Sequence, residues 1–274
     1  KPIWEAEGHW FKGNLHTHTA CSDGALAPEA MVERYRERGY DFLAITDHDR
    51  FTDMTGRCGS LCWIPGMEIA VPDPACNQSW HLVALNVGAH FVPPRDDGPQ
   101  AVIDAVRAAG GETIVAHPYW SGLNVSGLLA LNGYLGLEVF NTSCHYSIGK
   151  GFSLVHWDGL LGRGRRVYGV ASDDSHYHFN EHRPNDTAVA FVMVKAKSRT
   201  AEGILAALRA GQFYASNGPR IEHIGIANDR LQVRTSSARA INVIAQDAHG
   251  ESFFASPGET ITEIEYALRE SDRY

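Results

Sequence analysis

His16 and His18 stand two residues apart in the segment Gly13-Asn14-Leu15-His16-Thr17-His18. Along an extended strand that spacing sends both imidazoles to one face, within reach of one ion. Taken alone, such a pair is equally a half-exposed strand face, because histidine is intermediate in burial. Asp23 follows in Cys21-Ser22-Asp23-Gly24, where an Asp-Gly pair reads as a turn. The same residue types then recur at the ends of apolar runs. Phe42 to Thr46 leads into Asp47-His48-Asp49, and Glu68 comes just after Trp63-Ile64-Pro65-Gly66. His81 opens the next run, His117 closes Val115-Ala116-His117, and Val167 to Ala171 empties into Ser172-Asp173-Asp174-Ser175-His176. A histidine or glutamate flanking a buried valine or isoleucine run is costly unless it is paired or bound to metal. Imidazole with carboxylate suits zinc, manganese or iron. No cysteine stands among these candidate ligands, which argues against a closed structural zinc site.

The elements that must position these groups can be read from the apolar pattern. Phe42 to Thr46, Leu61 to Pro65, Leu82 to Val87, Thr113 to Ala116, Leu135 to Phe140 and Val167 to Ala171 read as buried strands. Helical stretches lie between several of them. Pro28 to Arg38 opens on proline and closes at Gly39; Gln100 to Ala109, Ser153 to Leu161, and Ala201 to Ala210 after a capping Thr200 are similar. Alternating strands and helices predict a parallel α/β sheet or barrel, and in a closed barrel the strand ends converge on one rim. After Gly218-Pro219 the texture changes to short alternating runs, Ile221 to Ile226, Leu231 to Thr235 and Ala240 to Gln246, separated by Asn-Asp, Ser-Ser and His-Gly turns. The division expected is residues 1–218 as the barrel and 219–274 as a small β-rich appendage.

Composition bounds the partners. The chain has 274 residues, of which 44% are hydrophobic, enough for a full core. A formal net charge of -8 disfavours attraction to a polyanion, so a phosphate substrate has to be held by local cations or bound metal, and long nucleic acid is not an expected partner. The expected partner is a small molecule, and oligomeric state is left open. The five cysteines, Cys21, Cys58, Cys62, Cys76 and Cys144, follow no disulfide or CxxC pattern and read as free thiols of a reducing, cytoplasmic compartment. No apolar run reaches the roughly 18 to 20 residues of a membrane span. The start at Lys1 lacks a basic-then-apolar signal segment, although a chain that begins without methionine leaves a removed leader open.

As an ordered set, His16-Thr17-His18, Thr46-Asp47-His48, Pro65-Gly66-Met67-Glu68, Ala116-His117-Pro118 and Ser172-Asp173-Asp174-Ser175-His176 resemble the PHP (polymerase and histidinol phosphatase) family of metal-dependent hydrolases. The segment Ala206 to Pro219 is similar to the tail of the carbaryl hydrolase-like branch of that family. The resemblance implies a distorted seven-stranded (β/α) barrel with two or three divalent ions at its C-terminal rim. It implies that His16 and His18 bind the first ion with Asp174, and that Glu68 bridges it to a second ion held also by His81 and His117. Asp23, His48 and His176 would take the third. His90, at the other end of the same run, competes with His81, and Asp173 competes with its neighbour Asp174.

Such a centre implies hydrolysis. A water bridging two divalent ions loses its proton near neutral pH, and the ions neutralise charge at the attacked centre. A phosphomonoester or cyclic phosphodiester is the preferred substrate on this reading. Arg50, His145, His178 and Arg183 are candidates to hold the phosphate or protonate the leaving group. Carboxylic ester, carbamate or amide hydrolysis is the alternative and needs an apolar pocket, for which Tyr119, Trp120, Tyr146, Trp157 and Phe179 are the candidates. A non-catalytic metal-binding domain is the third reading.

Overall fold

The computed structural model of the chain describes residues 3–73 and 78–272. Cys76 lies outside the described residues; Cys21, Cys58, Cys62 and Cys144 are in no disulfide. Nine strands form one barrel-like sheet: β1 (His9–Asn14), β2 (Phe42–Ile45), β3 (Cys62–Asp73), β4 (Gln78–Leu85), β5 (Glu112–Val115), β6 (Gly136–Asn141), β7 (Tyr168–Ser172), β8 (Phe191–Ala196) and β9 (Phe213–Ser216). The spatial order is β7-β6-β5-β4-β3-β2-β1-β8-β9, and Tyr168 of β7 meets Phe213 of β9 edge-on at 5.4 Å, so the sheet curls nearly closed.

The strands are not uniformly parallel. β1, β2 and β3 run together, as do β5, β6 and β7. β4 runs against β3 and β5, and β8 runs against β1 and β9. The all-parallel reading is corrected at these two strands. β3 and β4 form a long antiparallel ribbon in which Ala70 opposes His81 and Glu68 opposes Val83. Glu68 therefore sits inside β3, not after it, and His81 sits inside β4. The reversal has a consequence for chemistry, because the N-terminal half of β4 lies beside the C-terminal half of β3 and lifts His81 to the same rim.

The helices are α1 (Pro28–Glu37), α2 (Pro99–Ala108), α3 (Val125–Ala130), α4 (Thr142–Ile148), α5 (Leu154–Leu161) and α6 (Ala201–Arg209). α1 starts on a proline whose missing N–H has no intrahelical partner to lose, and it buries Met31, Val32 and Tyr35 against Leu43 and Ile45 of β2. In α6 the Thr200 hydroxyl accepts from the Gly203 N–H at 3.1 Å, and Ile204, Leu205 and Leu208 face Val192 and Val194 of β8. α3 and α4 are short and carry no apolar stripe that marks them in the sequence. Their caps are asparagines, Asn124 and Asn141, whose side chains accept from Gly127 and Cys144 N–H groups.

After Pro219, β10 (Ile221–Ala227), β11 (Arg230–Ala238) and β14 (Ile261–Ala267) form one antiparallel sheet, and β12 (Ala240–Ile244) pairs with β13 (Gly250–Phe254). Ile241, Ile264 and Tyr266 make a small core between them. The Trp4 indole N–H donates to the Glu222 carbonyl at 2.6 Å, tying β10 to the start of the chain. No helix among the described residues is long and apolar enough to cross a membrane.

Candidate metal centre

Six imidazoles and three carboxylates meet at the rim. His16 and His18 follow β1, whose partner β2 lies parallel beside it, and Asp174 and His176 follow β7. The two ends are stitched together by the Asp174 N–H donating to the His16 carbonyl at 3.0 Å and the His18 N–H donating to Ser175 at 2.9 Å. Glu68 is wholly buried at their centre. Its Oε2 lies 3.1 Å from His16 Nε2, 3.1 Å from His18 Nε2 and 3.0 Å from His48 Nδ1. Its Oε1 lies 2.8 Å from His81 Nδ1 and 3.3 Å from His117 Nε2. Asp174 Oδ1 is 2.9 Å from His18 Nε2 and 3.2 Å from His16 Nε2. Farther out, Asp23 Oδ2 is 3.4 Å from His176 Nε2 and 3.6 Å from His48 Nε2.

These distances fit a metal polyhedron. Donor atoms held at about 2.0–2.2 Å from one ion stand about 3.0–3.5 Å from each other, and most of the observed edges fall in that range. Glu68 Oε2, Asp174 Oδ1 and His18 Nδ1 are buried without a partner in hydrogen-bond geometry, so close contacts surround atoms whose lone pairs aim elsewhere. Two imidazole nitrogens, His16 Nε2 and His18 Nε2, face each other at 3.1 Å. Donors grouped within ligand reach are His16, His18, Glu68 and Asp174; His48, Glu68 and His81; His18, Asp23, His48 and His176; and His117, Cys144 and Asp174. His18 and His48 thus each lie between two positions instead of belonging to one.

The outer shell fixes the ring orientations. His16 Nδ1 donates to Glu138 Oε1 at 2.7 Å, His117 Nδ1 meets Ser121 Oγ at 3.1 Å, and His176 Nδ1 donates to the Asp174 carbonyl at 2.8 Å. Each turns its Nε2 toward the cluster, the arrangement that metal-binding histidines adopt. Glu138 also accepts from the His117 N–H at 2.8 Å, Asn141 Nδ2 at 2.7 Å and the Ser172 hydroxyl. Asp47 accepts from the Thr19 N–H at 2.7 Å and from the hydroxyls of Thr19, Ser22 and Thr52. His117 and Asp174 both have positive φ, 28° and 52°, which for residues other than glycine is strain of the kind that concentrates at functional sites.

Protonation follows the geometry. Burial lowers the His16 pKa, but Asp174, Glu68 and Glu138 outweigh it and hold it well above the usual imidazole range. Burial likewise works against His18, His48, His117 and His176, whose carboxylate neighbours raise them. Burial pushes Glu68 up, yet the surrounding imidazoles hold it well below the carboxylate range. Asp23 is lowered chiefly by its hydrogen bond to His176. Raised imidazoles contribute stability that is complete below about pH 6.5 and is lost as the pH rises through their folded values. Depressed carboxylates contribute stability lost only below about pH 4. The metal-free chain is therefore expected to melt at lower temperature as the pH is raised from about 6 upward, and saturating zinc or manganese to abolish the decline. Melting curves across pH with chelator or metal check this; a metal-free melting temperature that climbs through the same window contradicts it.

The cluster floors a cavity of about 300 Å³ lined by Asp23, His48, Glu68, His81, His117 and Asp174, together with Trp120, Ser143, Cys144, His178 and Arg183. Of the expected non-ligand residues, His178 and Arg183 line it. Arg183 Nη2 donates to Ser143 Oγ at 3.0 Å and to the buried Asp186 at 3.3 Å. Arg50 does not line the cavity: it is exposed and donates to the Cys21 carbonyl at 3.2 Å. His145 is turned away and packs against Phe140 and Phe152 at 5.6 and 5.2 Å. His90 is exposed in the turn after β4, so the strand presents His81 alone. Asp173 is buried away from the cluster, taking N–H groups of Ala188 and Ala190 at 2.8 and 2.7 Å and the Tyr35 hydroxyl at 2.9 Å. Glu138 is the residue that sequence reasoning missed. Its one signal is a charge inside an otherwise apolar run.

Comparison with known proteins places this geometry. Residues 14–109 match the PHP domain model. The 5'-3' exoribonuclease Rnm of Escherichia coli (strain K12) is 42% identical over 81 residues, 27% of this chain and 27% of that protein. The DNA polymerase/3'-5' exonuclease PolX of Bacillus subtilis (strain 168) is 45% identical over 41 residues, 15% of this chain and 7% of that one. The matched segments thus span about a quarter or less of these relatives. Among solved structures, a two-domain protein from Bacteroides vulgatus described as containing a PHP-like metal-dependent phosphoesterase has a TM-score of 0.56 at 15% identity, covering 94% of this chain and 85% of that one. One from Bifidobacterium adolescentis, described as a metal-dependent phosphoesterase, has a TM-score of 0.50 at 18% identity, covering 71% and 96%. At such identities these structures share the fold. The motif region from Asn14 to Ala109 is thus similar to the PHP domain, and the chain shares its fold with structures described as PHP-like metal-dependent phosphoesterases.

Proposed function

We propose that the chain is a metal-dependent hydrolase of phosphoester bonds, acting on a small phosphomonoester or cyclic phosphodiester. The observation that carries it is that His16 and His117, held at their outer nitrogens by Glu138 and Ser121, turn their inner nitrogens to a buried Glu68, while His176, held by the Asp174 carbonyl, turns its own to Asp23, at the base of an open cavity. His16, His18, Glu68 and Asp174 would hold one ion, Glu68, His81 and His117 a second, and Asp23, His48 and His176 a third. Divalent ions bound there, manganese, iron or zinc, supply an acidified water and neutralise charge on a phosphoryl group. Arg183, braced by Asp186 and Ser143, offers the cavity a fixed cation for a phosphate oxygen, and His178 at the rim is placed to give a proton to a leaving alkoxide.

Ester, carbamate or amide hydrolysis needs apolar lining, and of its five aromatic candidates only Trp120 lines the cavity. Trp157 lines a separate groove with Leu154, Val155 and Ile244. The similarity of Ala206 to Pro219 to the carbaryl hydrolase-like tail supports membership of that branch but leaves the phosphoester reading in place. The relative from Escherichia coli is named an exoribonuclease, which makes a phosphoester at an RNA 5' end the second substrate to test. The net charge of -8 favours the small substrate.

With manganese supplied, p-nitrophenyl phosphate, bis-p-nitrophenyl phosphate, a 5'-phosphorylated RNA oligonucleotide and p-nitrophenyl acetate are compared side by side. Cleavage of the phosphate compounds, abolished by chelator, is the expected result. Turnover of the acetate alone overturns the phosphoester reading, and preference for the oligonucleotide overturns the small-substrate one.

A further inference from the structure

Cys144 brings a sulfur to a cluster otherwise made of nitrogen and oxygen. It is the third residue after Asn141, whose side chain caps α4 by accepting the Cys144 N–H at 2.9 Å. The Ser143 N–H donates to the Asp173 carbonyl at 2.9 Å, so the first turn of α4 is pinned to the end of β7. The thiol that results is buried, 4% exposed, and is the only thiol among the described residues lining the cavity. Cys144 Sγ, His117 and Asp174 present donor atoms that all lie within 4.8 Å of one another. His117 Nε2 is also 3.3 Å from Glu68 Oε1 and 3.8 Å from Asp174 Oδ2. A second feature points to a ligand independently of the cysteine: the same two carboxylates turn their other oxygens, Asp174 Oδ1 and Glu68 Oε2, toward His16 and His18, where both are buried with no hydrogen-bond partner.

We propose that Cys144 is a ligand of the ion held by His117, giving that position a sulfur donor and a preference for zinc or ferrous iron over manganese. The proposal rests on the metal-dependent reading above. Soft thiolates select zinc and iron, whereas carboxylates and water accommodate manganese and magnesium. Burial of the Cys144 thiol, and after it the charges of Asp174, Glu138 and Glu68, keep the proton on sulfur while no cation is present. A divalent cation reverses that local field. On coordination the S–H proton leaves to solvent as the metal–sulfur bond forms, with no change of oxidation state. The consequence is a centre whose positions differ in metal taste, one of nitrogen and oxygen donors and one with sulfur added.

The test uses the full chain stripped of metal and titrated with Co(II). Visible d–d bands report occupation of the histidine and carboxylate cluster, and a near-ultraviolet sulfur-to-cobalt charge-transfer band reports a thiolate ligand. The expected result is both sets of bands, with Cys144→Ser losing the charge-transfer band while retaining the visible ones, and Cys21→Ser retaining both. Visible bands without charge transfer in the native chain overturn the sulfur ligand and leave the metal reading standing. Absence of all bands overturns both. A charge-transfer band that survives Cys144→Ser assigns the sulfur to another residue and overturns the proposal. Should Cys144→Ser fail to fold, zinc X-ray absorption on the native chain decides: a scatterer at about 2.3 Å supports sulfur, and a shell confined to about 2.0–2.2 Å excludes it.

Discussion

Glu68→Gln is expected to lower phosphoester turnover by about a thousandfold or more and to reduce bound transition metal by at least one equivalent. The two oxygens of Glu68 face different groups, Oε2 toward His16, His18 and His48 and Oε1 toward His81 and His117. Glutamine matches the carboxylate in volume, so no cavity opens and the fold is retained. It removes a full negative charge and turns one oxygen into a donor aimed at imidazole nitrogens. Charge stabilisation by a divalent ion is worth several kcal/mol, and about 4 kcal/mol is about a thousandfold in rate. Element analysis of the purified variant beside the native chain, followed by turnover at saturating manganese, checks both halves. Full metal content with a loss of less than about tenfold removes Glu68 from the bridging role.

What made the site legible in the sequence was repetition. Short apolar runs predict buried strands wherever they fall, and here β2, β5, β6 and β7 appear within a residue or two of the runs Phe42 to Thr46, Thr113 to Ala116, Leu135 to Phe140 and Val167 to Ala171. Polar residues at their ends acquire meaning only together, because one rim collects them all. Strand direction escaped that reading. His81 and His90 flank the same run, and only the antiparallel pairing of β4 with β3 places the first at the rim and the second in an exposed turn.

Other features were hidden because they depend on partners distant in the chain. Glu138 orients His16 from 122 residues away, and inside Leu135 to Phe140 it reads as an interruption of a strand. Cys144 follows a strand end by three residues, with no ligand spacing to mark it, and reaches the cluster only through the turn that α4 makes on its asparagine cap. Arg50 adjoins Asp49, whose left-handed backbone, with φ at 51°, redirects the chain just after His48. Proximity in sequence to a ligand was in that case no guide to proximity in space.

The adjacent aspartates of the β7 end are expected to separate stability from chemistry. Asp173 is a wholly buried carboxylate among donors: Ala188, Val189 and Ala190 N–H groups, the Thr142 and Tyr35 hydroxyls and Asn14 Nδ2. Burial pushes its pKa up to about 7 while those bonds pull it down. Asp173→Asn replaces an acceptor by an amide NH2 facing N–H and O–H groups. Leaving such buried donors unmatched costs about 3 kcal/mol, which for a chain of this size is about 6–12 °C of melting temperature. The residue holds β7, α4 and the Thr187 to Ala190 segment together, so the folded fraction should still bind metal normally. Asp174 has the opposite surroundings. Its backbone turns left-handed, with φ at 52°, and its carboxylate faces His16 and His18, which hold its pKa far down despite burial. Asp174→Asn is expected to lose metal and turnover while the metal-free chain melts within a few degrees of the native one. Melting temperature and metal content, measured on both variants, give a crossed pattern. Metal loss at an unchanged melting temperature in Asp173→Asn reverses the assignment, since the two side chains point to opposite sides of the same strand end.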